Sequence, residues 1–145
     1  MGEASRRVSG AIAVGSGETP DAPPPDALDR RIFASLSALE TDSPGFLCQI
    51  MGEFHEAASR RLVAIGEALR AGNAGALAFE AHGLRGSCNT LGARRMAILA
   101  GRLEAIGCAG RTEDGLPLLP ALESEYETVR RALDTAYSLA ESAAA

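Results

Sequence analysis

The stretch Leu77-Ala78-Phe79-Glu80-Ala81-His82-Gly83-Leu84-Arg85-Gly86-Ser87-Cys88-Asn89-Thr90-Leu91 spaces Leu77, Ala81, Leu84, Cys88 and Leu91 by steps of four and three. Steps of that kind follow the 3.6-residue period of an α-helix and mark one buried seam. At about 100° per residue, the mean direction of the seam lies roughly 140° from His82, which therefore points to solvent. Arg85, Gly86 and Asn89 follow at i+3, i+4 and i+7 on the same outer face. The helix is dry on a leucine and alanine side and wet on a side of histidine, arginine, glycine and asparagine.

The flanking sequence repeats the pattern. Gly92 breaks this helix, and another runs from about Ala93 to Gly107 with Met96, Leu99, Leu103 and Ile106 inward. Beyond a loop with Gly110 and Gly115, a last helix begins around Pro117 to Pro120, where proline in a first turn removes no intrahelical bond. Its stripe is Leu119, Leu122, Tyr126, Val129, Leu133, Ala136 and Ala140. Upstream, Gly72-Asn73 separates the quoted helix, with Asn73 as its cap, from one carrying Leu47, Ile50, Met51, Phe54, Ala58, Leu62, Ile65 and Leu69. Thr41-Asp42-Ser43-Pro44 starts that helix, with Ser43 as the expected cap. A first short helix spans Asp26 or Asp29 to Leu39, with Ile32, Phe33, Leu36 and Leu39 on one face. The expected fold class is all-α, an antiparallel up-down four-helix bundle with a short extra N-terminal helix. Residues 26–145 form it. Residues 1–25, with four of the seven prolines and four of the sixteen glycines, read as a disordered or extended leader.

Composition narrows the function classes. A chain of 145 residues is one domain. It holds 28 alanines and no lysine, and past position 25 only two valines and five isoleucines, which excludes a β-sandwich or barrel. No room is left for a nucleotide-binding lobe. Nineteen acids against fourteen bases argue against a nucleic-acid partner, which would meet a basic stripe. The apolar run Ala11 to Val14 is too short for a secretory signal or a membrane span, and Arg6 stands where a myristoylation pattern wants serine or threonine. A cytoplasmic location is expected. Cys48, Cys88 and Cys108 form an odd set without C-x-x-C and read as packed, reduced thiols.

Gly86 is the odd residue of the wet face. A mid-helix glycine costs about 1 kcal/mol relative to alanine, so its place one turn after an exposed histidine implies clearance for an approaching molecule. A histidine imidazole, with an ordinary pKa of about 6.5, is a nucleophile near pH 7 without help and can hold a phosphoryl group as a phosphoramidate. Arg85, one turn on, is placed to balance the charge of that group with paired N–H donors.

The run Ala81-His82-Gly83-Leu84-Arg85-Gly86-Ser87-Cys88-Asn89-Thr90-Leu91-Gly92-Ala93 resembles the signature of histidine-containing phosphotransfer (HPt) domains, roughly A-H-x-L-K/R-G-S-S/A-x-x-L-G-A. The likeness continues through Leu99, Leu103 and Glu104, similar to an L-x-x-x-L-E segment. Phe54-His55-Glu56-Ala57-Ala58-Ser59-Arg60-Arg61-Leu62 is similar to a family helix reading roughly F-L-E-D-A-P-x-x-L. The resemblance covers about residues 28 to 139. It implies a four-helix bundle without kinase activity, a phosphocarrier whose histidine exchanges phosphate with the aspartates of response-regulator receiver domains in a two-component phosphorelay. Carried over by position, His82 is the phosphoacceptor, Arg85 the base near the phosphate and Gly86 the clearance glycine. Ser87, Asn89 and His55 are candidate partner contacts. Cys88 departs from the usual serine or alanine, and His55 and Ala57 replace leucine and aspartate. A hybrid sensor kinase is the expected source of phosphate. The chain is expected to be a monomer without a cofactor of its own, magnesium belonging to the receiver.

Other readings fit less well. A di-iron bundle uses Glu-x-x-His, whereas Glu53-x-His55 and Glu80-x-His82 lie two apart, about 200° round the helix. The dimerising domain of a sensor kinase usually has an acid after its histidine and a proline soon after, and Gly83 follows here. An adaptor that binds or sequesters a receiver or kinase without phosphate keeps the fold. Arg60-Arg61, Arg94-Arg95 and Arg130-Arg131 read as coats on solvated helix faces.

Overall fold

The computed structural model describes residues 27–144; the proposed leader lies outside them. Among the described residues five α-helices follow in order: α1 (Arg30–Ala38), α2 (Phe46–Ala71), α3 (Ala74–Leu91), α4 (Arg94–Cys108) and α5 (Leu119–Ala144). Two 3-10 turns, Thr112–Asp114 and Leu116–Leu118, lead into α5, the second with Pro117 in its first turn. Among the described residues there is no strand. Helices α2 to α5 form the bundle, with α3 flanked by α2 and α4, and α5 packed on both α4 and α2.

The α3 seam lies where its spacing placed it. Leu77, Leu84, Leu91 and Cys88 are fully buried together with Ile65, Met96, Leu103, Leu122, Val129 and Leu133. Fully burying such a side chain stabilises by about 1.5–3 kcal/mol, so this column is the main cohesion of the bundle. The Asn73 carboxamide oxygen accepts from Ala76 N at 3.0 Å, capping α3 as expected. Asp29 caps α1 through Arg31 N at 2.9 Å. Gly92 ends α3 at φ 80°, in the left-handed region, and its carbonyl accepts from Asp29 N at 2.7 Å. The short helix α1 is thereby tied to the α3–α4 turn. At the other end of that hairpin, Gly107 brings α4 onto the backbone of α3: a Cβ there would stand 2.7 Å from Ala78 N. The two helices are thus close along the whole hairpin that carries His82.

Three expectations change. Leu39 is 47% exposed, beyond the end of the α1 face. Ser43 does not cap α2, which begins at Phe46 behind Gly45 at φ 91°. Ser43 and Pro44 are spent on the turn in which Phe46 N donates to Ser43 O. The cap comes from Glu40, whose carboxylate accepts from Gly45 N and Leu47 N, both at 2.9 Å. Finally, only Cys88 is a packed thiol; Cys48 and Cys108 are exposed. Burial pushes the Cys88 thiol up to about 12, so it stays un-ionised beneath the site.

The Glu40 cap makes a pH prediction. The bonds from Leu47 N and Gly45 N hold its carboxyl below the ordinary glutamate value, about 4.3. A folded-state pKa below the unfolded one adds stability above the unfolded pKa, and that stability is lost as pH falls through the folded one. Glu40→Gln is therefore expected to lower stability at pH 7 and to approach the parent on acidification below about pH 4.3. Denaturant titrations at pH 7 and pH 3 check this, and a constant difference would show that the carboxylate does not act as a charged cap.

Candidate functional site

His82 lies mid-way along α3 with its side chain 68% exposed. Its Nδ1 is 3.0 Å from Glu104 Oε2 on α4. A carboxylate only accepts, so the ring donates from Nδ1–H, and the neutral ring that fits this contact has its lone pair on Nε2. His82 and Glu104 stand almost equally far along the chain from the Gly92 turn, which levels them across the antiparallel hairpin. Beside Glu104, buried Leu103 fixes the turn of α4 that aims the carboxylate.

Arg85 Nη2 is 3.2 Å from the other oxygen, Glu104 Oε1. Its N–H is not aimed along that line: the buried Oε1 has an ion-pair neighbour but no hydrogen bond. The Arg85 stem crosses Gly101 of α4, whose missing Cβ leaves room for it. Glu104 thus bridges the histidine and the arginine that sequence alone placed on one face.

Among the described residues, nothing beyond the adjoining backbone of α3 comes within 4 Å of a Cβ added at Gly86. The described fold does not require glycine there, and the position is open to solvent. Gly86→Ala is expected to raise stability by about 1 kcal/mol. Gly86→Gln is expected to fold and to slow any reaction at His82 that needs a bulky partner. Melting curves and transfer rates check both, and a glutamine variant at the parent rate would remove the steric role.

The remaining candidates divide between two sides. Asn89 is exposed beside Arg85, Ile98 and Gly101 in a groove between α3 and α4. Ser87 is half-buried in a second groove, between α3 and α2, with Ile50, Glu53, Ala57 and Thr90. His55 is not brought to His82. One residue on from buried Phe54, it turns toward α5, with Nδ1 3.4 Å from Tyr126 Oη and the rings edge-on at 6.2 Å. Burial, and then the Arg130 charge, hold its imidazole below the ordinary histidine value. It packs α2 on α5.

Two residues gain places that the sequence reading did not give them. Glu104 stood in the motif without a role. Arg61, read as a solvated coat, lies against α3, with Nη1 2.9 Å from Glu80 Oε1. Arg94 and Arg95 likewise pair across elements, with Asp29 and Glu125. Among the described residues, no group of three or more His, Cys, Asp and Glu could hold a metal ion, and no helix is long and apolar enough to cross a membrane.

Comparison with known proteins matches this geometry. No curated protein is a match. Histidine-containing phosphotransfer protein B (HptB) from Pseudomonas aeruginosa PAO1 is similar at 28% identity and a TM-score of 0.70, over 77% of this chain and 95% of that one. The histidine-containing phosphotransfer protein MtHPt2 from Medicago truncatula shares the fold at 23% identity and a TM-score of 0.70, over 98% and 93% of the two chains. A family model described as the Hpt domain matches residues 49–132, which hold His82, Arg85, Gly86 and Glu104. The chain belongs to the Hpt domain family.

Proposed function

We propose that this chain carries a phosphoryl group on His82 Nε2, exchanging it with receiver-domain aspartates in a two-component phosphorelay. The observation that carries the reading is an imidazole 68% exposed whose Nδ1, not Nε2, is bound by Glu104. The Nε2 lone pair attacks the phosphorus of an aspartyl phosphate; the N–P bond forms, the P–O bond to the acyl oxygen breaks, and the aspartate leaves as carboxylate. No proton leaves the ring in this step. The ring gains positive charge, and the Glu104 carboxylate at Nδ1–H balances it. Arg85 stands one turn away for the phosphoryl oxygens, and Gly86 leaves room for the incoming loop. The return step reverses the same bonds.

In this reading the receiver supplies magnesium at its aspartate, a hybrid sensor kinase loads the relay, and the chain works as a cytoplasmic monomer. The test is incubation with each purified, phosphorylated receiver from the same cell, followed by a timed assay for acid-labile phosphate. Labelling within minutes by at least one receiver is expected. Stable binding without labelling would replace the reading with that of a sequestering adaptor.

A further inference from the structure

Arg61 ties α2 to α3 through Glu80, and the transfer chemistry makes no use of it. Its guanidinium lies where a side chain at position 83 would begin: a Cβ on Gly83 would overlap Arg61 Cζ, Nη1 and Nε. Gly83 is the residue directly after the histidine, so a guanidinium rests on the backbone of α3 beside His82. It is held there on two sides, by Glu80 Oε1 at 2.9 Å and over the Phe79 ring at 5.9 Å from the centroid. Phe79 itself is 69% exposed, one helical turn before His82. Glu80 occupies Nη1 only, leaving the Nε and Nη2 N–H groups of Arg61 without a hydrogen-bond acceptor among the described residues.

An arginine held by a carboxylate over an exposed aromatic ring has the composition of an interface anchor, because both residues present large contact areas with less left to order on binding. The placement is also complementary in charge. Arg85 flanks His82 toward α4 and Arg61 flanks it toward α2, and a partner face built around an acceptor aspartate is acidic. We infer that Arg61, seated in the Gly83 notch beside the Phe79 ring, is a specificity-determining contact for the receiver domain that meets His82. The inference rests on the phosphotransfer reading. Phe79 takes an apolar side chain of the receiver, and the open N–H groups of Arg61 take a carboxylate or carbonyl beside it. Arg61 acts on docking, not on the phosphorus.

Gly83→Ala separates this role from a structural one. The atoms in its way are the far end of a flexible side chain, so the methyl evicts the guanidinium while alanine improves the helix. The probe is the receiver of the same cell that discharges fastest to the parent chain. Gly83→Ala, Arg61→Ala and Phe79→Ala are expected to raise the half-saturating receiver concentration about tenfold, with a smaller change in maximal rate. The lifetime of isolated phosphohistidine should stay the same, and Gly83→Ala should melt at or above the parent temperature. Arg61→Glu combined with Glu80→Arg keeps the ion pair inside the chain and is expected to remain weak in docking. Parent-like saturation of Gly83→Ala and Arg61→Ala, or full recovery of docking in the exchanged pair, overturns the inference while leaving phosphotransfer at His82 in place. Absence of labelling of the parent by every receiver overturns both.

Discussion

His82→Gln is expected to take up no phosphate from any phosphorylated receiver while keeping the melting temperature of the parent. Glutamine has a similar reach but no nucleophilic nitrogen, since its amide lone pair is delocalised, so the loss is of the bond-forming atom. The fold has little to lose. The ring is 68% exposed, and it is held by Glu104 at the edge of the bundle. Exposed pairs contribute about 0–1 kcal/mol, and glutamine is a better helix former than histidine. Circular dichroism and an acid-labile phosphate assay on the same sample check both halves. Retained labelling would move the site to His55, the other histidine of the chain, although its ring is packed on Tyr126.

What could be read in the sequence was what depends on local period. The seam of α3, the Asn73 cap and the outward turn of His82 follow from spacing along one helix, and the structure keeps them. Contacts that need two elements were less visible. Glu104 could have been found by counting outward from Ala93, the second residue of the turn, in both directions, because an antiparallel hairpin pairs residues at equal distance from its turn. The Glu40 cap could not, since it depends on the path of the turn between α1 and α2. Serine at position 43 satisfied the capping rule by composition and lost to a carboxylate that the chain folds back onto the same N–H groups. For His55, a candidate partner contact by sequence, a helical wheel gives the angle to the core but not that Tyr126 of α5 lies on that side. Arg61 illustrates the same limit: its pairing with Glu80 and the Gly83 notch appear only once α2 lies against α3.

Glu104→Gln is expected to slow transfer roughly 10- to 100-fold with the bundle intact, by analogy with the loss seen when a carboxylate that orients a metal-binding histidine is removed. The carboxylate does two things that an amide does not. Being only an acceptor, it fixes the proton on Nδ1 and the lone pair on Nε2, whereas an amide can turn its NH2 toward Nδ1 and stabilise the opposite tautomer. Being charged, it balances the positive ring formed as Nε2 bonds to phosphorus, and it faces Arg85 Nη2 at 3.2 Å, a cation that loses its counter-charge in the variant. The substitution is nearly isosteric at a side chain 21% exposed, so packing against Leu103 survives. Two measurements check the positioning role separately from the fold. At saturating phosphorylated receiver the maximal rate should fall, and nitrogen NMR of the His82 ring should show Nδ1–H in the parent and a mixture of tautomers in the variant. A parent-like rate with an altered ring spectrum would mean that attack does not depend on the resting tautomer; an unaltered spectrum would mean that Glu104 does not hold the ring in solution.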